Sequence, residues 1–184
     1  MKRVMDVVLS LLATAALLPL MLVTSLAIAL EDGFPVLYRQ TRLGLEGREF
    51  GMFKFRSMGK NADKVGPYFT ATGDPRITRV GRLIRRTSID ELPQLWNVVV
   101  GDMSLVGPRP DVPVQRSLYT DADWVQRCSV RPGITGLAQV VLRSQGSNAD
   151  RLALDLRYTR ESSIWFDLKI LVLTIKRLNG HGAN

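Results

Sequence analysis

A chain of 184 residues with a formal charge of +8 is long enough for one domain with its own core, and its charge points to an anionic partner. That partner is nucleic acid, lipid headgroups or a phosphorylated substrate. One cysteine, Cys128, and one histidine, His181, exclude a disulfide framework, thiol or imidazole metal sites and Ser-His-Asp catalysis, so the chemistry must come from carboxylates, Lys, Tyr or hydroxyls.

Residues 7–30 form an uncharged apolar run preceded by Lys2, Arg3 and Asp6. As a helix this run would be ~36 Å long, enough to cross a bilayer. A signal peptide is the other reading, with Ala27-Ile28-Ala29 as its cleavage site, but the apolar core exceeds the usual roughly 7–15 residues. Pro19 lies near the middle, cannot donate a backbone hydrogen bond and favours a break. Lys2 and Arg3 precede the run and Arg39 and Arg42 follow it, so neither end lacks positive charge. Hydropathy alone favours a plain span; the charges also fit a helix that returns to the side it entered.

Residues 35–40 and 49–55 are β-branched and aromatic, and Gly44 and Gly47 between them predict a β-hairpin. Residues 58–72 read as a polar loop. Arg76, Arg79, Arg82 and Arg85 then recur on one broad helical face, with Ile77, Val80, Leu83 and Ile84 opposite: an amphipathic basic helix suited to a membrane surface or a phosphate site. Asp121-Ala122-Asp123 fits either a metal-chelating pair or a helix cap, and Trp124 and Val125 after it favour the cap. Residues 131–136 are turn chemistry leading into a short apolar strand at Leu137–Leu142, and residues 145–150 form a second polar loop. Residues 164–178 are apolar but carry Asp167, Lys169, Lys176 and Arg177, which predicts a core or interfacial helix.

Residues 88–110, SIDELPQLWNVVVGDMSLVGPRP, are the most informative stretch. Ser88 and Glu91 have capping-box spacing, whereas Pro93 suits the first helical position; the two signals conflict. Either way Asp90 and Glu91 lie at a helix start, where an anion is favoured and stays ionised. Adjacent residues point in different directions, so the two acids divide the work: Asp90 as nucleophile, Glu91 as metal ligand or proton manager. Gly107-Pro108-Arg109-Pro110 holds an arginine in a stiff turn, suited to a bidentate grip on phosphate.

From end to end the chain resembles a small monotopic phosphoglycosyl transferase of the bacterial sugar transferase family. The resemblance is carried by Lys2-Arg3 before the apolar helix, by Phe53 to Met58 (FKFRSM), and by Ile84 to Arg86 (IRR). It continues through Asp90-Glu91-Leu92, Gln94-Leu95, Asn97-Val98 and Gly101 to Ser104 (GDMS). Gly107 to Pro110, Arg131 to Gly136 with Ala138-Gln139, Leu154-Asp155 and Asp167-Leu168-Lys169 complete it.

What the resemblance implies is a mainly helical α+β fold. Residues 1–33 would form a membrane-embedded re-entrant helix broken at Pro19. Residues 34–184 would form a catalytic domain with a small β-hairpin and interfacial amphipathic helices, at the cytoplasmic face of the bacterial inner membrane. Asp90 would attack the β-phosphate of a UDP-sugar, release UMP and pass the phosphosugar to a polyprenyl (undecaprenyl) phosphate. Asp90 and Glu91 would hold Mg²⁺, Arg85 and Arg109 would bind phosphate, and Lys54 and Asp155 would contact substrate. Membrane lipids are implied partners and nucleic acid is not. Where many relatives have Asn-Gly, this chain has Val141-Leu142, which leaves the sugar unassigned. With no further spanning region ahead of residue 1, the expectation is a minimal catalytic unit. Two rival readings are a metal-dependent glycosyltransferase using Asp121 and Asp123, and a membrane-anchored basic adaptor working through its arginine stripe.

Overall fold

The computed structural model describes residues 1–62, 73–142 and 146–179. Helices dominate it: α1 (Lys2–Asp32), α2 (Arg79–Arg86), α3 (Gln94–Val100), α4 (Asp121–Arg127), α5 (Leu137–Leu142), α6 (Asn148–Glu161) and α7 (Ile164–Asn179). The hairpin β1 (Leu37–Leu43) and β2 (Glu49–Phe55) pairs antiparallel, with Leu37 opposite Phe55 and Leu43 opposite Glu49. A short parallel pair, β3 (Ser104–Val106) and β4 (Gly133–Thr135), stitches the middle of the chain together.

In α1 the apolar run of the sequence becomes a 31-residue helix that continues through Pro19, where the sequence predicts a break. Proline removes one donor, so the Ala15 carbonyl loses its helical partner while the turns on either side keep theirs. Burial is confined to the two ends: Asp6 and Ser10 at one, Thr24 and Ile28 at the other. Between them, Leu11, Leu12, Leu18, Leu22 and Val23 are exposed.

Both ends are bound to the same body. At the start, Lys2 Nζ lies 2.5 Å from Asp167 Oδ2, Ser104 Oγ donates to Asp6 Oδ2 at 2.8 Å, and Arg3 donates to the Val98 and Val99 carbonyls that end α3. At the finish, Glu31 accepts from the Arg79 and Val80 N–H groups, closing the open amides of α2, and Asp32 pairs with Arg56.

Three apolar clusters form the core. Ile28, Phe55 and Ile84 join α1, β2 and α2. Met52, Val98 and Met103 join the hairpin to α3. Val106, Leu137, Val140, Tyr158 and Ile170 join β3 to α5, α6 and α7.

Several local expectations are corrected. Leu137–Leu142 is helix α5, not a strand, because Leu137, Ala138 and Val140 are all buried on one side against α6 and α7. The loop expected at residues 145–150 ends by Ser147, whose side chain accepts from the Asp150 N–H and caps α6; Gln145 lies outside the described residues. Most of the loop expected at residues 58–72 lies outside them too. The basic helix begins only at Arg79, because Arg76 is drawn back onto Asp74, with Nη2 2.6 Å from Oδ2. Helix α7 has two faces: Asp167 and Ile170 are buried, while Trp165, Val172 and Ile175 are exposed.

Candidate active site

Asp90 and Glu91 lie in a single 3-10 turn, Ile89–Glu91, between α2 and α3. The turn opens on Ser88 at φ 57°, a left-handed residue that makes no side-chain cap, so the capping-box spacing with Glu91 is not used. Ile89 and Leu92, on either side of the acid pair, pack against the Ile28, Phe55 and Ile84 cluster. The two acids are therefore pinned between apolar anchors, and α3 starts after them, with Pro93 at its cap.

The two carboxylates have different surroundings. Glu91 Oε1 takes Lys54 Nζ at 2.8 Å and Arg109 Nη2 at 2.9 Å. Burial acts to raise its pKa, but Arg109 and Lys54 outweigh that and hold it at about 2. Asp90 is only 9% exposed and, among the described residues, its carboxylate accepts no hydrogen bond and makes no ion pair. Burial raises its pKa and Glu91 adds to that, while Lys54, Arg85 and Arg109 pull the other way. The pair thus consists of one clamped carboxylate and one that is free to react.

Lys54 and Phe55 are consecutive on β2, so Phe55 turns into the core and Lys54 turns towards Glu91. Burial lowers the Lys54 pKa in spite of Glu91. Arg109 is placed by a tight backbone crossing: a Cβ on Gly133 would lie 2.1 Å from Gly107 N, and one on Gly107 would lie 2.3 Å from Arg131 O. Only glycine lets β3 and β4 approach this closely, with Gly107 N–H donating to Thr135 O and Gly133 N–H to Pro108 O. The turn is then tied to β1, because Arg42 donates to Pro110 O and Leu43 N–H to Asp111 O.

Asp155 is not in contact with the acid pair. Its Oδ2 accepts from Arg127 Nε at 3.0 Å, and Arg127 Nη1 lies 2.5 Å from Asp111 Oδ2. Arg127 also donates from Nη2 to the backbone carbonyl of Arg109. Burial raises the Asp155 pKa to about 6 against the pull of Arg127, since Asp111 competes for the same cation. The structure therefore brings Lys54, Arg109, Asp90 and Glu91 together, leaves Arg85 acting on Asp90 through its charge alone, and puts Asp155 one arginine behind them.

Arg42 and Arg127 were not among the residues singled out from the sequence. Burial, followed by the nearby Arg109, lowers Arg42 to about 10. The contacts that tie them to the site are remote in sequence: Pro110 lies 68 residues from Arg42, and Asp155 lies 28 from Arg127.

Among the described residues no group of three or more metal-ligating side chains forms. Magnesium does not need one: it commonly takes one or two carboxylates and fills its octahedron with water and substrate phosphate. Asp90 and the unengaged Oε2 of Glu91 are oxygen donors of that kind. Asp121 and Asp123, by contrast, serve helix α4: Thr120 accepts from the Asp123 N–H and donates to its carboxylate, and Asp121 pairs with Arg116.

The profile of the family described as bacterial sugar transferase matches residues 1–180. A Komagataeibacter xylinus protein named undecaprenyl-phosphate glucose phosphotransferase is 48% identical over 187 residues, covering 96% of this chain and 35% of that protein. A Caulobacter vibrioides UDP-glucose:undecaprenyl-phosphate glucose-1-phosphate transferase is 46% identical, covering 96% of this chain and 69% of that protein. An Aeromonas hydrophila UDP-N-acetylgalactosamine-undecaprenyl-phosphate N-acetylgalactosaminephosphotransferase is 43% identical over 99% of this chain and 44% of that protein. This chain thus spans well under half the length of two of these relatives. With the match running almost from end to end, the chain belongs to the bacterial sugar transferase family.

Proposed function

We propose that this chain transfers a sugar 1-phosphate from a UDP-sugar to undecaprenyl phosphate, with Asp90 as the covalent nucleophile. The observation that carries the reading is the contrast within the pair: Asp90 is buried and unpartnered, while Glu91 beside it is held by Lys54 and Arg109. A carboxylate stripped of partners in a cationic surround is a competent nucleophile towards phosphorus.

In the first step an Asp90 oxygen attacks the β-phosphorus. The bond from that phosphorus to the bridging oxygen breaks, its electron pair leaves with UMP, and the phosphosugar stays on the aspartate. In the second step a phosphate oxygen of undecaprenyl phosphate attacks the same phosphorus and Asp90 departs as a carboxylate. Arg109, Arg85 and Lys54 hold phosphate oxygens and offset the charge that develops. Asp90 and Glu91 would hold Mg²⁺, which supplies charge neutralisation on the diphosphate.

A soluble donor and a lipid acceptor meet at a membrane surface. Both ends of α1 are docked on one body, while its middle is apolar and exposed. With both ends tied to one body, a bend at Pro19 would let the exposed middle dip into the bilayer and return to the same side. This supports a re-entrant anchor and a catalytic body at the cytoplasmic face of the inner membrane, where UDP-sugars are found. The relatives named above act with glucose and with N-acetylgalactosamine, so the sugar is to be found by assay.

The test is nucleotide release by detergent-solubilised protein given a panel of UDP-sugars, undecaprenyl phosphate and Mg²⁺, together with intact mass of the protein and donor alone. The reading expects UMP, a phosphosugar adduct, and the loss of both in Asp90→Asn. Release of UDP, or full activity in Asp90→Asn, overturns it in favour of sugar transfer without phosphate.

A further inference from the structure

Arg109 also borders a cavity of about 540 Å³, lined by residues 109–111, Gln115 and Leu118 of the segment Pro113–Leu118, and residues of α5 and α6. Its size is that of a site for a drug-sized organic molecule. Two features show that it is built for a ligand. Asp155 lines it, is 5% exposed and gives only Oδ2 to Arg127; among the described residues, Oδ1 has no partner. Gln139 and Asn148 line it as well, beside the apolar side chains of Ala138 and Leu152.

Three parts of the reacting molecules compete for this space. A lipid phosphate would approach along α1, whose main packing is on α2, α3 and β3, although Lys2 also reaches Tyr158 on α6. The pyranose stays bonded to the β-phosphate that Asp90 attacks, which keeps it beside the acid pair. A pyrimidine nucleoside finds a partner for each of its parts here, a flat base between Ala138 and Leu152, its edge at the Gln139 and Asn148 amides and its diol at Asp155, in a lining that also carries Asp111, Arg127 and Arg151. Because Arg109 borders both the cavity and the acid pair, a diphosphate gripped at Arg109 leads from one to the other.

We infer that this cavity holds the uridine of the donor, with Gln139 and Asn148 at the uracil edge and Asp155 Oδ1 accepting from the ribose hydroxyls. The inference rests on the UDP-sugar reading above and assigns the nucleoside to one place within it. It also separates the roles of the two acidic positions: Asp90 acts on phosphorus, while Asp155 holds the group that leaves with UMP.

Calorimetric titration of the full chain in detergent with UMP, AMP and inorganic pyrophosphate tests this in the wild type, Asn148→Ala and Leu152→Trp. Asn148 is exposed at the start of α6, so its truncation spares the core, and the tryptophan fills the cavity. UMP should bind the wild type more tightly than AMP and weaken by about tenfold or more in both variants, while pyrophosphate stays within about twofold. UMP affinity unchanged in Asn148→Ala, and in Leu152→Trp if that variant still binds pyrophosphate, overturns the assignment. So does AMP binding as tightly as UMP. Either result leaves Asp90-dependent UMP release intact, so failure of the cavity assignment is distinct from failure of the proposed reaction.

Discussion

Arg127 donates from Nη2 to the backbone carbonyl of Arg109 at 2.6 Å, while Arg109 reaches forward with its own Nη2 to Glu91 at 2.9 Å. The arginine that clamps the acid pair is thus held from behind by a second arginine, which is fixed in turn by Asp111 and Asp155. One residue's backbone and side chain couple Glu91 to the neighbouring cavity.

Arg127→Lys tests that coupling. Lysine keeps the charge but cannot reach Asp111, Asp155 and the Arg109 carbonyl together with a planar fork. UMP release should slow by about tenfold to a hundredfold, as expected for a small displacement of a positioning group. Arg127→Met should also cost stability, about 3 kcal/mol or more, because it leaves two buried carboxylates without their cation. Steady-state rates and thermal melts on both variants distinguish positioning from collapse.

The pH dependence follows from the burial of Asp90. Its pKa is raised above the ordinary 3.8, and the nucleophile must be ionised. The acid limb of kcat/KM should therefore fall at a pH above 3.8. Stability responds to two carboxylates of opposite sign. Glu91 is lowered from 4.5 to about 2, so its contribution is present above 4.5 and is lost as pH falls towards 2. Asp155 is raised from 3.8 to about 6, so its contribution is full below 3.8 and is lost as pH rises through 6. Melting temperature against pH in the wild type and Asp155→Asn isolates the second term: the variant should lose the decline between 3.8 and 6.

Asp167→Asn should loosen the start of α1. Asp167 is fully buried, lies 2.5 Å from Lys2 Nζ and accepts from Tyr158 at 2.7 Å. Removing its charge leaves Lys2, itself partly exposed, with the longer pairing to Asp6 at 3.9 Å and the Val106 carbonyl, so a loss of about 1–2 kcal/mol is expected, below the value for a wholly buried pair. Faster protease cleavage near residue 2, with pyrophosphate still bound at Lys54 and Arg109, would mark local detachment of the helix.

Gly133→Ala should reach the active site from a distance. Its Cβ would lie 2.1 Å from Gly107 N, and neither backbone can yield without opening the β3–β4 pair. Arg109 rides on that crossing, so UMP release should fall by about a hundredfold or more. Alanine at Gly73 is the contrast: no atom lies within 4 Å of its Cβ, and only its positive φ of 76° is strained.

Much of the local structure was readable in the chain. The hairpin showed in two short runs with β-branched or aromatic residues on either side of Gly44 and Gly47, and α1 in a long uncharged stretch. The acid pair stood out because two carboxylates between arginines have few structural uses. The apolar run Leu137–Leu142 was misread as a strand because six residues are too few to separate a period of 2 from one of 3.6. Burial against α6 and α7 decided it. The capping-box spacing of Ser88 and Glu91 also misled, since Glu91 spends its carboxylate on Lys54 and Arg109.

Composition and spacing alone pointed to carboxylates and cations for the chemistry, showed residues 7–30 to be long and apolar enough for a bilayer, and put Asp90 and Glu91 at a helix start. These are properties of neighbouring residues, set by charge, hydropathy and turn chemistry. Tertiary structure decided which acid is free and which is clamped, that Asp155 stands behind Arg127 rather than beside Asp90, and that both ends of α1 return to one body. Each of those depends on partners tens of residues apart along the chain, and desolvation gives such contacts their strength only once folding has brought them together.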